Sequence, residues 1–144
     1  MRAKKGTLLA LLLLFVSSGS IFSDDWDIIS GEDNYREKIF AIADQLAGLV
    51  GSEQATSEAK EIEANYYSMK KNYLAWKNEH NKEKRKAFAK NVDEIRSEGV
   101  FRNLNALLLM LDKTKDQAKI KKGEGLVQDF TKTLAELVDL WFKK

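Results

Sequence analysis

The chain has 144 residues, no cysteine, no proline and one histidine, with 24 basic against 22 acidic side chains. Without cysteine there is no disulfide framework, and the usual zinc ligand sets cannot be assembled. A charge this close to balance also removes the general attraction on which nucleic-acid binding depends.

Residues 6–16 carry no charge, follow Arg2, Lys4 and Lys5, and precede Ser17-Ser18-Gly19-Ser20. A positive head, a short apolar middle and a small polar tail are the parts of an export signal. The apolar run falls short of the ~20 residues that a spanning helix needs. The sequence therefore predicts a cleaved signal peptide over residues 1–23, cut between Ser20 and Asp24, with an uncleaved anchor as the alternative. No cysteine lies after the run, which excludes a lipid-modified bacterial N-terminus.

Loss of Arg2, Lys4 and Lys5 leaves 21 basic against 22 acidic side chains, so the basic balance belongs to the leader. The remainder, residues 24–144, is one domain's worth of chain and long enough to bury a core. It contains neither disulfides nor an Asn-x-Ser/Thr glycosylation site, which points to a bacterial periplasm or exterior.

With proline absent and glycine sparse, long helices are expected. After the acidic lead of Asp24, Asp25 and Asp27, Ser30 with Asp33 can open a first helix. Tyr35, Ile39, Ile42, Ala43, Leu46, Leu49 and Val50 then share one face, and Gly51 closes the element. The next segment has the clearest period: Ala55, Ala59, Ile62, Tyr66, Met69, Tyr73, Trp76 and His80 alternate by four and three residues. This heptad stripe predicts one helix from Ser52 to about His80, roughly 40 Å long. Its bulky rings fit a bundle better than a two-stranded coiled coil, whose holes suit branched aliphatics.

The phase is lost over residues 81–86, where Asn81 can cap a new helix. Ala87, Phe88, Val92 and Ile95 restart an apolar face, and Gly99 offers a break. Phe101, Leu104, Leu107, Leu108, Leu111 and Ala118 form the most hydrophobic helix, expected to sit centrally. Lys119 to Lys122 and then Gly123-Glu124-Gly125 read as a helix end and turn. A last helix is expected from about Leu126 through Phe130, Leu134, Leu137, Val138 and Trp141. No strand-like run competes. The fold class predicted is all-α, a four- to five-helix, mostly antiparallel bundle forming a single domain after the signal peptide.

Reaction chemistry is poorly provided for. His80 is the lone histidine, and Glu-x-x-His does not occur twice, so a di-iron bundle is excluded. Haem would rest on His80 with Met69 or Met110 alone. Asp24, Asp25, Asp27, Glu32 and Asp33 lack the spacing and the terminal Glu of a calcium loop. There is no phosphate-cradling glycine motif. Arg85, Arg102 and Lys113 are spaced similarly to the first three cationic positions of small exported helical chorismate mutases. The later Arg-Glu pair expected of that family falls near Gly125 and Leu126, which leaves the charge clamp incomplete. The expectation is a non-enzymatic protein without cofactor or metal.

Binding surfaces are better provided for. Tyr67, Lys70, Lys71, Leu74 and Lys77 interleave apolar and basic residues beside the heptad seam. Lys82, Lys84, Arg85, Lys86 and Lys90, against Glu83 alone, form the one concentrated positive region. Of these, Tyr67, Lys70, Lys71, Leu74, Lys77, Lys84, Arg85 and Lys86 are the candidate binding surface. The bland reading is that Tyr67 and Leu74 widen the buried face while the lysines are solvated. Trp141-Phe142-Lys143-Lys144 suits either a membrane interface or the closing of a core. The function expected is protein–protein interaction in the bacterial cell envelope, as an adaptor, inhibitor, chaperone-like or structural accessory. The alternative is a peripheral binder of anionic lipid or envelope polymer. Nucleic acid is not an expected partner, and the long stripe also suits pairing with a second copy.

Overall fold

The computed structural model describes residues 23–143, with side chains from residue 31 onward. The export segment predicted over residues 1–23 lies outside the described residues apart from Ser23. The chain divides into two compact units, residues 1–34 and 35–144. The described part of the first is helical, and Glu32 within it is buried.

Among the described residues every regular element is helical. They are α1 (Ser23–Val50), α2 (Glu53–Asn78), α3 (Lys82–Ile95), a π-helical turn (Arg96–Val100), α4 (Phe101–Lys113) and α5 (Gln117–Phe142). The π turn joins α3 to α4 without a gap, so these elements make four rods. This is the expected all-α class.

The helix boundaries arise from local chemistry. Val50 ends α1 because Gly51 takes φ +75°, a left-handed conformation that glycine adopts without strain. Ser52 caps α2 by accepting a hydrogen bond from the Ala55 N–H, and Asn81 caps α3 by accepting from the Lys84 N–H. Asp116 does the same for α5 through the Lys119 N–H at 3.1 Å.

Four sequence expectations are corrected. The first helix does not start at Ser30 but already at Ser23. The second ends at Asn78, leaving His80 exposed beyond it. Gly99 makes no break: it sits inside the π turn, where Phe101 N–H reaches back to the Arg96 carbonyl. Nor do Gly123 and Gly125 mark a turn, because both lie inside α5. The real reversal is three residues long, Thr114, Lys115 and Asp116, with Lys115 at φ 59°. Ala118 consequently falls in the first turn of α5, where it is exposed along with Ala87 of α3.

The core of residues 35–144 draws on all four rods. Ile39, Ile42, Ala43 and Leu46 come from α1, and Ala55, Ala59, Ile62, Tyr66, Met69 and Tyr73 from α2. Val92, Val100, Leu104, Leu107 and Leu111 come from the α3–α4 rod, and Phe130, Leu134, Leu137, Val138 and Trp141 from α5. Every buried residue in this group belongs to the apolar periodicity of its helix, which is how a one-sided stripe becomes a shared interior. α2 packs along α3, the π turn and α4, while α4 also meets α5.

Candidate functional site

Two features stand out on this scaffold: a column of aromatic rings that ends in a basic cluster, and a polar cluster between α2 and α4 centred on the buried Asn103. The column begins with Phe40 of α1, edge-on to Tyr66 and Tyr67 at centroid distances of 5.3 and 5.9 Å. Tyr66 leads to Trp141 of α5 at 5.9 Å, and Trp141 lies nearly parallel to Tyr73 at 5.0 Å and 7°. Tyr73 contacts Trp76 and Phe142, which themselves meet edge to face at 4.6 Å. Tyr66, Tyr73 and Trp76 all belong to the α2 stripe, with Met69 on the turn between the two tyrosines. The heptad period therefore lines up the rings, and Trp141 and Phe142 interleave from α5.

The last ring is covered by a cation. The Arg85 guanidinium carbon is 4.3 Å from the centre of the Trp76 ring, and the Arg85 Nε–H donates to the Trp76 backbone oxygen at 3.2 Å. Trp76 lies in the last turn of α2, whose terminal carbonyls have no partner within the helix. That oxygen accepts from the Glu79 N–H at 3.3 Å, and Arg85, in the first turns of α3, adds a second donor to it while lying over the ring beside it.

The eight predicted surface residues fall into two sets. Tyr67, Lys71 and Leu74 share one outward face of α2, within about 60° of one another at 100° per residue, with Trp76 nearly opposite Tyr67. Tyr67 is 51% and Leu74 40% exposed, and Lys71 is exposed as well. The two apolar side chains thus do not widen the buried face. Lys70 and Lys77 flank this face and are half-buried. The second set lies on α3: Lys84 and Lys86 are exposed with Lys82 and Lys90, whereas Arg85 is half-buried on Trp76. Phe142 is brought to this same basic end by its contact with Trp76. Arg85 of α3 and Phe142 of α5, far apart in sequence, therefore both contact Trp76.

Sequence reasoning missed the second feature. Asn103 is 3% exposed and bonded on both sides of its amide. It accepts from Asn65 Nδ2 at 2.8 Å and donates through Nδ2 to Glu58 Oε1 at 2.8 Å and Glu61 Oε1 at 3.2 Å. Gly99 lies against Asn65, where a Cβ would come within 2.9 Å of the amide. Glu58, Glu61 and Asn65 run along one side of α2, and the π turn brings Asn103 over them. The readable signal was Asn103 itself, a polar residue in register with Val100, Leu107 and Leu111. Its hydrogen bonds are those of a buried amide held in place by an amide on one side and two carboxylates on the other.

No family model, curated protein or solved structure gives a significant match to this chain. Among the described residues, no three His, Cys, Asp or Glu side chains come together as metal ligands would. Of the three residues with chorismate-mutase-like spacing, Arg85 is engaged by Trp76, while Arg102 and Lys113 are exposed. No described helix is long and apolar enough to cross a membrane.

Proposed function

We propose that this protein is an exported, non-enzymatic helical module of a bacterial cell envelope that acts by binding another protein through the outer face of α2. The observation that carries this reading is the joint exposure of Tyr67 and Leu74, two turns apart on one face with Lys71 between them. Scattered apolar residues on a surface are ordinary, but a ring and a leucine aligned on one helix can seat a partner's apolar side chains. Lys71 adds a preference for a partner that carries a carboxylate beside that apolar patch. An adaptor, inhibitor, chaperone-like or structural accessory role fits such a surface.

The helices are proposed to run mostly antiparallel, which the connections of two or three residues support. Export rests on the charge and hydropathy pattern of residues 1–23. N-terminal sequencing of the protein from the producing cell should give a start between Ile21 and Asp24.

The interaction itself is tested by placing a photocrosslinking amino acid at Leu74 and irradiating intact cells. A discrete adduct should form, should form as well when irradiation is done in salt of about 0.5 M where surface charges are screened, and should vanish when Tyr67 is replaced by Ser. Equal adducts from a crosslinker at the exposed Lys132 of α5 would refute the assignment to α2. An adduct of twice the protein's own mass would identify the partner as a second copy.

A further inference from the structure

We infer that the end of the molecule bearing Arg85, Trp76 and Phe142 docks on an anionic phospholipid bilayer, with Arg85 gripping a lipid phosphate. This goes beyond the protein-binding face of α2, which lies on the other side of that helix.

The inference starts from how Arg85 is held. The guanidinium carbon lies 4.3 Å from the centre of the Trp76 ring, and the Nε–H bond to the Trp76 carbonyl restrains its rotation. Those contacts occupy one face and one donor, and among the described residues no acceptor meets the two Nη nitrogens. What remains is the end-on fork of an arginine whose side-chain freedom is already restricted. Such a fork matches two oxygens of one phosphate, and its charge is only weakly hydrated.

The surroundings select a bilayer over a soluble anion. Lys82, Lys84, Lys86 and Lys90 of the same helix are exposed, and no described carboxylate forms an ion pair with them. Lysines spread over a surface suit many phosphates in a plane better than one phosphate in a pocket. Trp76 and Phe142 are half-buried rings at the same end, and aromatic rings beside lysines are at home where headgroups meet acyl chains. The attraction has to be local, because the chain's total charge is only +2 and the Debye length in physiological salt is about 8 Å.

Co-sedimentation of the full chain with vesicles tests this, using phosphatidylcholine alone and phosphatidylcholine with 30 mol% phosphatidylglycerol (on the order of a natural anionic leaflet). Residues 1–22 are the same in every protein compared, so differences between variants report the α3 end. Binding should be at least about tenfold tighter to the anionic vesicles, since several lysines near the surface each add to the partition. Arg85→Lys keeps the charge but loses the stack and the fork, and should weaken binding about tenfold. Lys84→Gln with Lys86→Gln, both at exposed sites, should weaken it by a similar factor. Lys121→Gln with Lys122→Gln, also exposed but near the far end of the α3–α4 rod, should leave it unchanged.

Wild-type binding by Arg85→Lys would overturn the role of Arg85. Equal losses in the two double-lysine variants would reduce the effect to diffuse attraction. Full competition by inorganic phosphate would point to a free-phosphate site, and full competition by polyglutamate to an acidic protein partner; either overturns the bilayer. If Arg85→Lys fails to fold by circular dichroism, the exposed lysine pairs decide the matter by themselves.

Discussion

Gly123 of α5 packs against Leu111 of α4 so closely that a Cβ on the glycine would overlap the leucine Cδ2. Leu46 of α1 lies 3.7 Å from the same point, so three helices converge on a residue with no side chain. Gly125, two residues along the same helix, has nothing within 4 Å of its notional Cβ. The pair makes a clean experiment. Gly123→Ala should destabilise by about 1–3 kcal/mol through overpacking. Gly125→Ala should stabilise by about 0.5–1 kcal/mol through helix propensity. Urea denaturation of the two variants measures both, and a Gly123→Ala protein as stable as the parent would show that Leu111 moves aside freely.

Asn103 is positioned so that its oxygen faces an amide and its nitrogen faces two carboxylates. Asn103→Ala should cost about 1–3 kcal/mol, because Asn65 loses its acceptor and the partners stay part-buried. Asn103→Asp should cost more at neutral pH, since a third carboxylate then meets Glu58 and Glu61. The sign with pH is set by proton uptake. The introduced carboxyl holds its proton more tightly in the folded state than unfolded, so folding is favoured as pH falls. Thermal melts of Asn103→Asp from pH 7 downward should converge on the parent, whereas Asn103→Ala should keep its offset throughout.

The parallel stack of Tyr73 and Trp141 ties the ends of α2 and α5 together. Trp141→Ala should destabilise by about 3–5 kcal/mol, as expected for emptying a fully buried aromatic site. Trp76→Ala should cost less, because Trp76 is only half-buried, although it removes ring contacts to Tyr73 and Phe142 and the Arg85 contact. The order of the two, read from denaturant midpoints, checks which ring anchors the column.

Lys115 holds a left-handed backbone at φ 59° in the turn before α5. Replacing it with glycine should stabilise by about 1 kcal/mol, the penalty a side chain carries in that region. Asp116→Ala, one residue on, should cost about 1 kcal/mol by removing the cap that accepts the Lys119 N–H. The opposite signs of neighbouring substitutions are readable in melting temperature.

Much of α2 could be read directly, because its signals are local: a serine cap at Ser52, a stripe from Ala55 to Tyr73, and an asparagine cap for its successor. The glycines were harder. Gly51 closes a helix while Gly123 receives a leucine, and the sequence spells both with the same letter. What separates them is a backbone angle in one case and a neighbouring helix in the other. Ser30 looked like a helix start, but a serine can equally ride inside a longer helix. At the candidate surface, the types and grouping of Tyr67, Leu74 and the lysines were legible. The exposure of Tyr67 and Leu74 was not, since it depends on where the other rods lie. The Arg85–Trp76 contact needed the three-residue turn of Glu79, His80 and Asn81 to fold the chain back, and nothing in the composition of either helix announces it.

The wide turn at Arg96–Val100 takes up one residue more than a regular α-helical turn would use. With that residue absorbed, Val92, Val100, Leu104, Leu107 and Leu111 fall within about 60° of one another, whereas an unbroken α-helix through the same residues would turn the last four about 100° away from Val92. The turn is thus one residue of slack wound into the rod. A descendant that lost a residue there could tighten the coil to an ordinary turn and still present the same side chains inward.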